Sequence, residues 1–142
     1  MPPTSLLDVR DVHVAYGAGV RALQGVTLTI PTASFVVVIG TNGSGKSTLL
    51  NALAGTFLVD DGRIVVDGTD VTRWPEHRRA SLIGRVFQNP FSGTAPNMTI
   101  AENLVLAARR GQSRGLSWAL KRTARQEMRD RISRLRLGLE DR

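Results

Sequence analysis

Gly40-Thr41-Asn42-Gly43-Ser44-Gly45-Lys46-Ser47-Thr48 stands between a continuous apolar run, Phe35-Val36-Val37-Val38-Ile39, and a segment where Leu49, Leu50 and Leu53 recur at helical spacing. Gly40, Gly45, Lys46 and Ser47 occupy the set positions of G-x-x-x-x-G-K-[ST], the phosphate-binding loop. Its glycines let the backbone wrap with N–H groups turned inward, making an anion nest at the start of the next helix. Lys46 places a compact ammonium for the β- and γ-phosphates, and Ser47 offers a hydroxyl to Mg²⁺. The chain has 17 arginines and only two lysines, Lys46 and Lys121, so a lysine at this position is not background. These residues predict a site for a nucleoside triphosphate.

The flanks predict the layout around the loop. Phe35–Ile39 is a β-branched run without polar alternation, which reads as a parallel strand buried on both faces at the centre of a sheet. Upstream, Leu6–Val14 and Leu23–Ile30 alternate apolar and polar residues as half-buried strands, with Gly17 and Gly19 marking the turn between them. From Lys46 a helix is expected with Leu49, Leu50 and Leu53 on one face and Gly55 as its stop. Asp60-Asp61-Gly62 reads as a turn, Arg63–Asp67 as a short strand closed by Gly68, and Trp74-Pro75-Glu76 as a helix start within a loop-rich stretch. Ile83–Phe87 is strand-like and ends at Gln88. Asn89–Met98 reads as a loop. Thr99-Ile100-Ala101-Glu102 resembles a capping box opening a helix to about Arg109. A further helix is expected over Leu116–Leu137, with Leu116, Leu120, Ala124, Met128, Ile132, Leu135 and Leu139 forming one apolar stripe. His13 is expected in a strand and His77 on an exposed helix.

Composition narrows the classes. The chain has 142 residues, room for one domain or one and part of a second. It has no cysteine, which excludes disulfides and thiolate metal sites and suits a cytoplasmic protein. The longest apolar run is far short of a membrane span, and Met1–Asp8 lacks the features of an export signal. The net charge of +7 is unevenly placed. Residues 1–108 carry eight basic and eight acidic side chains, and residues 109–142 carry eleven and four. A basic tail of this kind suits nucleic acid or an anionic membrane surface. It equally suits the solvated face of an amphipathic helix, and here the arginines lie off the apolar stripe.

Taken in order, Tyr16, the loop at 40–48, Gly62-Arg63-Ile64-Val65-Val66-Asp67-Gly68 and Val86-Phe87-Gln88 resemble the ATP-binding subunit of ABC transporters. The resemblance implies an α/β fold: a phosphate-loop NTPase core with a parallel sheet and helices, an antiparallel β-subdomain, and the start of a helical subdomain. Residues 1–90 would hold the partial nucleotide-binding core with the antiparallel subdomain. Residues 91–142 would continue from the glutamine loop into the helical part. By the same resemblance Tyr16 is the aromatic residue that stacks on adenine. Gln88 contacts Mg²⁺ and senses the γ-phosphate, while the loop beyond it meets a membrane permease. The nucleotide site would then comprise Tyr16, Gly40, Thr41, Asn42, Gly43, Ser44, Gly45, Lys46, Ser47, Thr48 and Gln88, with ATP and Mg²⁺ bound and Ser47 and Gln88 on the metal. Implied partners are the permease and a second ATP-binding subunit, on the inner face of the cell membrane. Within the family, Asn89–Leu106 is similar to the ATPase of tryptophan/tyrosine-type importers.

The family's LSGGQ signature, the strand ending in Asp-Glu and the switch histidine have no counterpart in the sequence. Ile64-Val65-Val66-Asp67 comes too early to be that strand and reads as part of the antiparallel subdomain. The chain is therefore expected to be a truncated, N-terminal part of such a subunit. It should bind nucleotide weakly or fold poorly, hold no catalytic residue of its own, and hydrolyse ATP at no useful rate. Without the missing strand beside it, Phe35–Ile39 is expected to keep an unpaired apolar edge. Two rivals stand beside transport: a soluble ATPase of this family acting on nucleic acid through the arginines of residues 109–136, and a nucleotide-binding remnant. One aromatic residue, Trp118, and the regular apolar stripe of the tail speak against nucleic acid.

Overall fold

The computed structural model describes residues 5–110, 122–134 and 136. They fall into two compact units, Met1–Gly84 and Arg85–Arg142.

The first unit is organised by a four-stranded antiparallel sheet of order β2-β1-β3-β4, with β1 Ser5–Tyr16, β2 Val20–Pro31, β3 Asp61–Val66 and β4 Thr69–Asp70. Strand β1 pairs with β2 across a tight turn at Gly17–Gly19 and with β3 on its other edge. Val9 and Val12 are both fully buried although they are three residues apart. Strict alternation would send them to opposite faces. A bulge between Arg10 and His13, where Asp11 adopts a φ of 49°, shifts the phase of β1 and returns Val12 and Val14 to the core face. Opposite this bulge Gly62 has a φ of +94°, and a Cβ there would strike the carbonyl oxygens of Asp11 and Arg10. β3 and β4 are joined by Asp67-Gly68, both at positive φ (47° and 73°), which matches a type I′ hairpin turn.

Helix α1, Lys46–Ala54, lays Leu49 and Ala52 on the core formed by Val9, Val12, Val14, Leu23, Val59, Ile64, Val66 and Val71. It ends as expected at Gly55, whose φ of 82° supplies the left-handed stop. Leu50 departs from expectation, being 55% exposed while Leu49 is buried. Positions 49 and 50 are about 100° apart around a helix, and α1 has a single sheet to cover. The short helix α2, Glu76–Arg79, begins after Pro75, and His77 is exposed on it.

Two expected strands are not formed. Phe35–Ile39 has no strand hydrogen bonding, and Phe35 and Ile39 are 93% and 88% exposed. Ile83–Phe87 is likewise irregular, with Ile83 resting on the core of the first unit. A parallel strand is defined by neighbours on its edges. All the strand pairs among the described residues belong to the antiparallel sheet, so these two segments have no ladder to join.

In the second unit, α3 spans Ile100–Ala108 and α4 spans Arg122–Ser133. The capping box is complete: the Glu102 N–H donates to Thr99 Oγ1 (3.3 Å), and the Thr99 N–H donates to Glu102 Oε2 (2.8 Å). Asn103 then fastens the preceding loop, accepting from the Ala95 N–H (2.7 Å) and donating to the carbonyls of Ala95, Met98 and Thr99. Helix α4 ends at Ser133, before the Leu137 expected, and the expected start at Leu116 lies outside the described residues. Leu116, Leu120, Leu135, Leu137 and Leu139 lie outside the described residues. Ile132 is buried, as its place on the apolar stripe requires.

At the β3–β4 edge, Asp70 accepts from the hydroxyl (2.7 Å) and N–H (3.0 Å) of Thr72 and from Arg63 Nε (2.8 Å). The Thr72 hydrogen bonds, helped by Arg63, hold the Asp70 carboxyl down at about 2. A depressed carboxyl contributes stability above its unfolded value and loses it as pH falls through the folded one. We therefore expect Asp70→Asn to be less stable than the parent above pH 4, with the difference vanishing between pH 4 and 2 in urea titrations. Because the side chain is half exposed, the difference should not exceed about 1 kcal/mol. A difference that persists at pH 2 would assign it to packing instead.

Candidate functional site

The loop at 40–48 is built by conformations that side chains would obstruct. Gly43 and Gly45 have φ of +83° and +87°. A Cβ on Gly45 would lie 2.8 Å from the Ala22 carbonyl oxygen and 3.1 Å from Leu23 Cδ2, so this glycine lets the loop seat against β2. A Cβ on Gly40 would lie 2.6 Å from Ser44 Oγ. The first helical bond runs from the Leu49 N–H to the Gly45 carbonyl (2.8 Å), and no side chain caps the N-terminus of α1. The leading N–H groups of that helix thus point toward the loop with the positive end of the helix dipole behind them.

Lys46 closes the loop on itself. Its Nζ donates to the carbonyls of Gly40 (2.8 Å) and Thr41 (2.7 Å) and reaches Ser44 Oγ at 3.4 Å. A cation is therefore held over the N-terminus of α1 by neutral oxygens alone, an arrangement in which phosphate oxygens can replace carbonyls at a gain in charge pairing. Thr41, Asn42, Gly43 and Ser44 form the exposed rim, and the Ser47 side chain lies exposed in the first turn of α1.

Tyr16 is brought to the same helix. Its hydroxyl donates to Thr48 Oγ1 (3.2 Å), and its ring meets Phe57 edge-on at 5.8 Å between centroids and 75° between planes. It remains 46% exposed, so ring surface is left for another aromatic group. Thr48 itself is buried. Gln88 lies exposed in the second unit, beyond Arg85, whose guanidinium stands 4.5 Å over the Phe87 ring.

Among the described residues no group of three His, Cys, Asp or Glu could hold a metal ion. That is compatible with Mg²⁺ at this loop, because Mg²⁺ keeps few protein ligands and arrives with phosphate oxygens and water. The exposed Ser47 hydroxyl is a donor of the hard-oxygen kind it takes. When bound, the ion would neutralise charge on the phosphates.

Three residues of this region escaped the sequence reading. Asp60 accepts the Ala15 N–H beside Tyr16, Phe57 buttresses the Tyr16 ring, and Arg79 is fully buried behind α1. None carries a motif. Arg79 is one of 17 arginines, adjacent to the exposed Arg78, and only the tertiary structure separates the two.

The ABC transporter family matches residues 23–140 of the chain. A tyrosine transport ATP-binding protein of Clostridioides difficile (strain R20291) is 40% identical over 106 residues, which are 75% of this chain and 42% of that protein. An arabinose import ATP-binding protein of Paraburkholderia xenovorans (strain LB400) is 35% identical over 123 residues, 86% of this chain and 23% of that one. Among solved structures, the crystal structure of a nucleotide-free ATP-binding cassette from an ABC transporter superposes with a TM-score of 0.75 at 29% identity, covering 97% of this chain and 57% of the other. The chain spans less than half the length of these two curated relatives.

Proposed function

The chain belongs to the ABC transporter family, and we propose that it is the phosphate-holding part of a transporter's ATP-binding subunit. The observation that carries this is the self-closed loop: Lys46 held on its own carbonyls above an uncapped helix N-terminus. A triphosphate entering there exchanges with the Gly40 and Thr41 carbonyls for Nζ and takes the N–H groups of the loop and of α1. Tyr16 lies at the same helix to receive adenine. Ser47 ligates Mg²⁺, and Gly40 to Thr48 line the phosphates.

In functional terms the division falls after residue 90, past Gln88, with residues 91–142 opening the helical part. The partners are a second ATP-binding subunit and a membrane permease on the inner face of the cell membrane. No helix among the described residues is long and apolar enough to cross a membrane. The similarity of Asn89–Leu106 to tryptophan/tyrosine-type importers, together with the tyrosine transport relative, supports import of an aromatic amino acid.

Calorimetric titration of the 142-residue chain tests the nucleotide reading. ATP with Mg²⁺ is expected to bind at least about tenfold more tightly than AMP, since the loop's charge-assisted bonds go to the β- and γ-phosphates. Chelating Mg²⁺ should weaken ATP, and Ser47→Ala should reduce that Mg²⁺ dependence. Equal affinity for ATP and AMP would sink the proposal.

A further inference from the structure

We propose that Asp60 is a positioning residue for the nucleobase end of the site, a role that rests on Tyr16 facing adenine as described above. On its β3 side, β1 is paired only as far as His13, opposite Asp61. Beyond that point β1 runs on through Val14 and Ala15 to Tyr16 with no β3 residue opposite. Asp60 completes the edge from the next position. Its N–H donates to the His13 carbonyl (3.0 Å), and its carboxylate Oδ2 accepts the Ala15 N–H at 2.6 Å. The carboxylate thus stands in for one more rung of the β1–β3 ladder, at the residue just before the tyrosine.

Asp60 is itself well placed to hold. Val59 beside it is 1% exposed in the core, and the Val59 carbonyl accepts from Arg73 Nη1 (3.1 Å). Phe57, which meets the Tyr16 ring, is on the same segment. After Tyr16 come Gly17, Ala18 and Gly19, with Gly19 at a φ of +80°, and across this turn Tyr16 is paired on the β2 side with Val20, the last pair of that ladder. The segment between α1 and β3 therefore holds the backbone of Ala15, next to Tyr16, through Asp60 and meets the Tyr16 ring through Phe57, while the tyrosine hydroxyl reaches Thr48 on α1.

The test uses the full chain as Asp60→Leu, which removes the acceptor at similar size, and Asp60→Asn, whose Oδ1 still accepts the Ala15 N–H. Each is titrated with Mg-ATP and with inorganic tripolyphosphate, which occupies the loop without a base. Asp60→Leu is expected to weaken ATP about tenfold while tripolyphosphate changes less than about twofold. Asp60→Asn should retain the parent's ATP preference, because the hydrogen bond and not the charge does the positioning. If Asp60→Leu weakens both ligands equally, the residue is merely structural and the proposal fails. It fails too if Asp60→Leu keeps the parent's ATP affinity. A parent chain that binds tripolyphosphate as tightly as ATP overturns the base role of Tyr16 itself, and the proposal with it.

Discussion

Lys46→Ala should weaken ATP binding by about 10- to 100-fold, measured by titration of the full chain. The lysine ammonium is the one basic group that the loop itself holds within reach of its carbonyls, through Gly40 and Thr41. Charge-assisted hydrogen bonds contribute about 1.5–3 kcal/mol each, and each 1.4 kcal/mol is about tenfold in affinity. The same substitution unlatches the loop, because Nζ bridges two of its carbonyls and approaches Ser44. Part of the loss should therefore appear as ordering entropy on binding. The folded state should be little affected, since all three contacts are exposed, and an unchanged melting curve would show it. Affinity within threefold of the parent would mean that the loop does not hold phosphate through Lys46.

Arg79→Met should destabilise the chain by about 3 kcal/mol, the largest stability effect we expect from a single side chain here. Arg79 is 0% exposed and donates to four carbonyls: Trp74 through Nε (2.8 Å), Ala52 and Leu53 through Nη1 (2.7 and 2.9 Å), and Thr72 through Nη2 (3.1 Å). Ala52 and Leu53 lie in the last turn of α1, where the Ala52 carbonyl also accepts the Gly55 N–H (3.2 Å) and the guanidinium adds the donors that the helix end lacks. The guanidinium thus caps the helix that follows the loop at 40–48 and ties it to the chain around β4 and α2. Methionine fills a similar volume with no donor. Ala52 keeps the Gly55 N–H, but a buried acceptor left alone, as the Thr72 carbonyl would be, costs about 1–3 kcal/mol, and the part-buried Trp74 and Leu53 carbonyls lose a donor as well. Relief of the cost of burying a charge offsets part of this. That same burial pushes the Arg79 pKa below its ordinary value. The urea midpoint should fall by about 1–3 M, given slopes of about 1–3 kcal/mol per M. Arg78→Met, at the exposed neighbour, should stay within about 0.5 kcal/mol of the parent. Equal midpoints for the two variants would show that Arg79 caps nothing of consequence. Gly55 belongs to the same arrangement: a Cβ there would stand 2.8 Å from Arg79 Nε.

What could be read from residues alone was what depends on near neighbours in sequence. The loop at 40–48, the stop at Gly55, the hairpin turn at Gly17–Gly19 and the Thr99–Glu102 box all follow from side chains acting within a few positions of themselves, whereas the turn expected at Asp60-Asp61-Gly62 is the start of β3, where Asp61 pairs across to His13 of β1. So the glycine-rich loop at the head of α1 was legible in the amino-acid sequence. Strand membership was not. Phe35–Ile39 has every propensity of a central strand and is not one, because a strand exists only with a partner at its edge, and propensity says nothing about the partner. The bulge at Asp11, which brings Val9 and Val12 to one face, likewise needs Gly62 across the sheet. Asp60 beside Tyr16 and Arg79 beneath α1 act over separations of 45 and 27 residues. Contacts of that span leave no periodicity or spacing to detect, so only the folded chain assigns those two side chains their work.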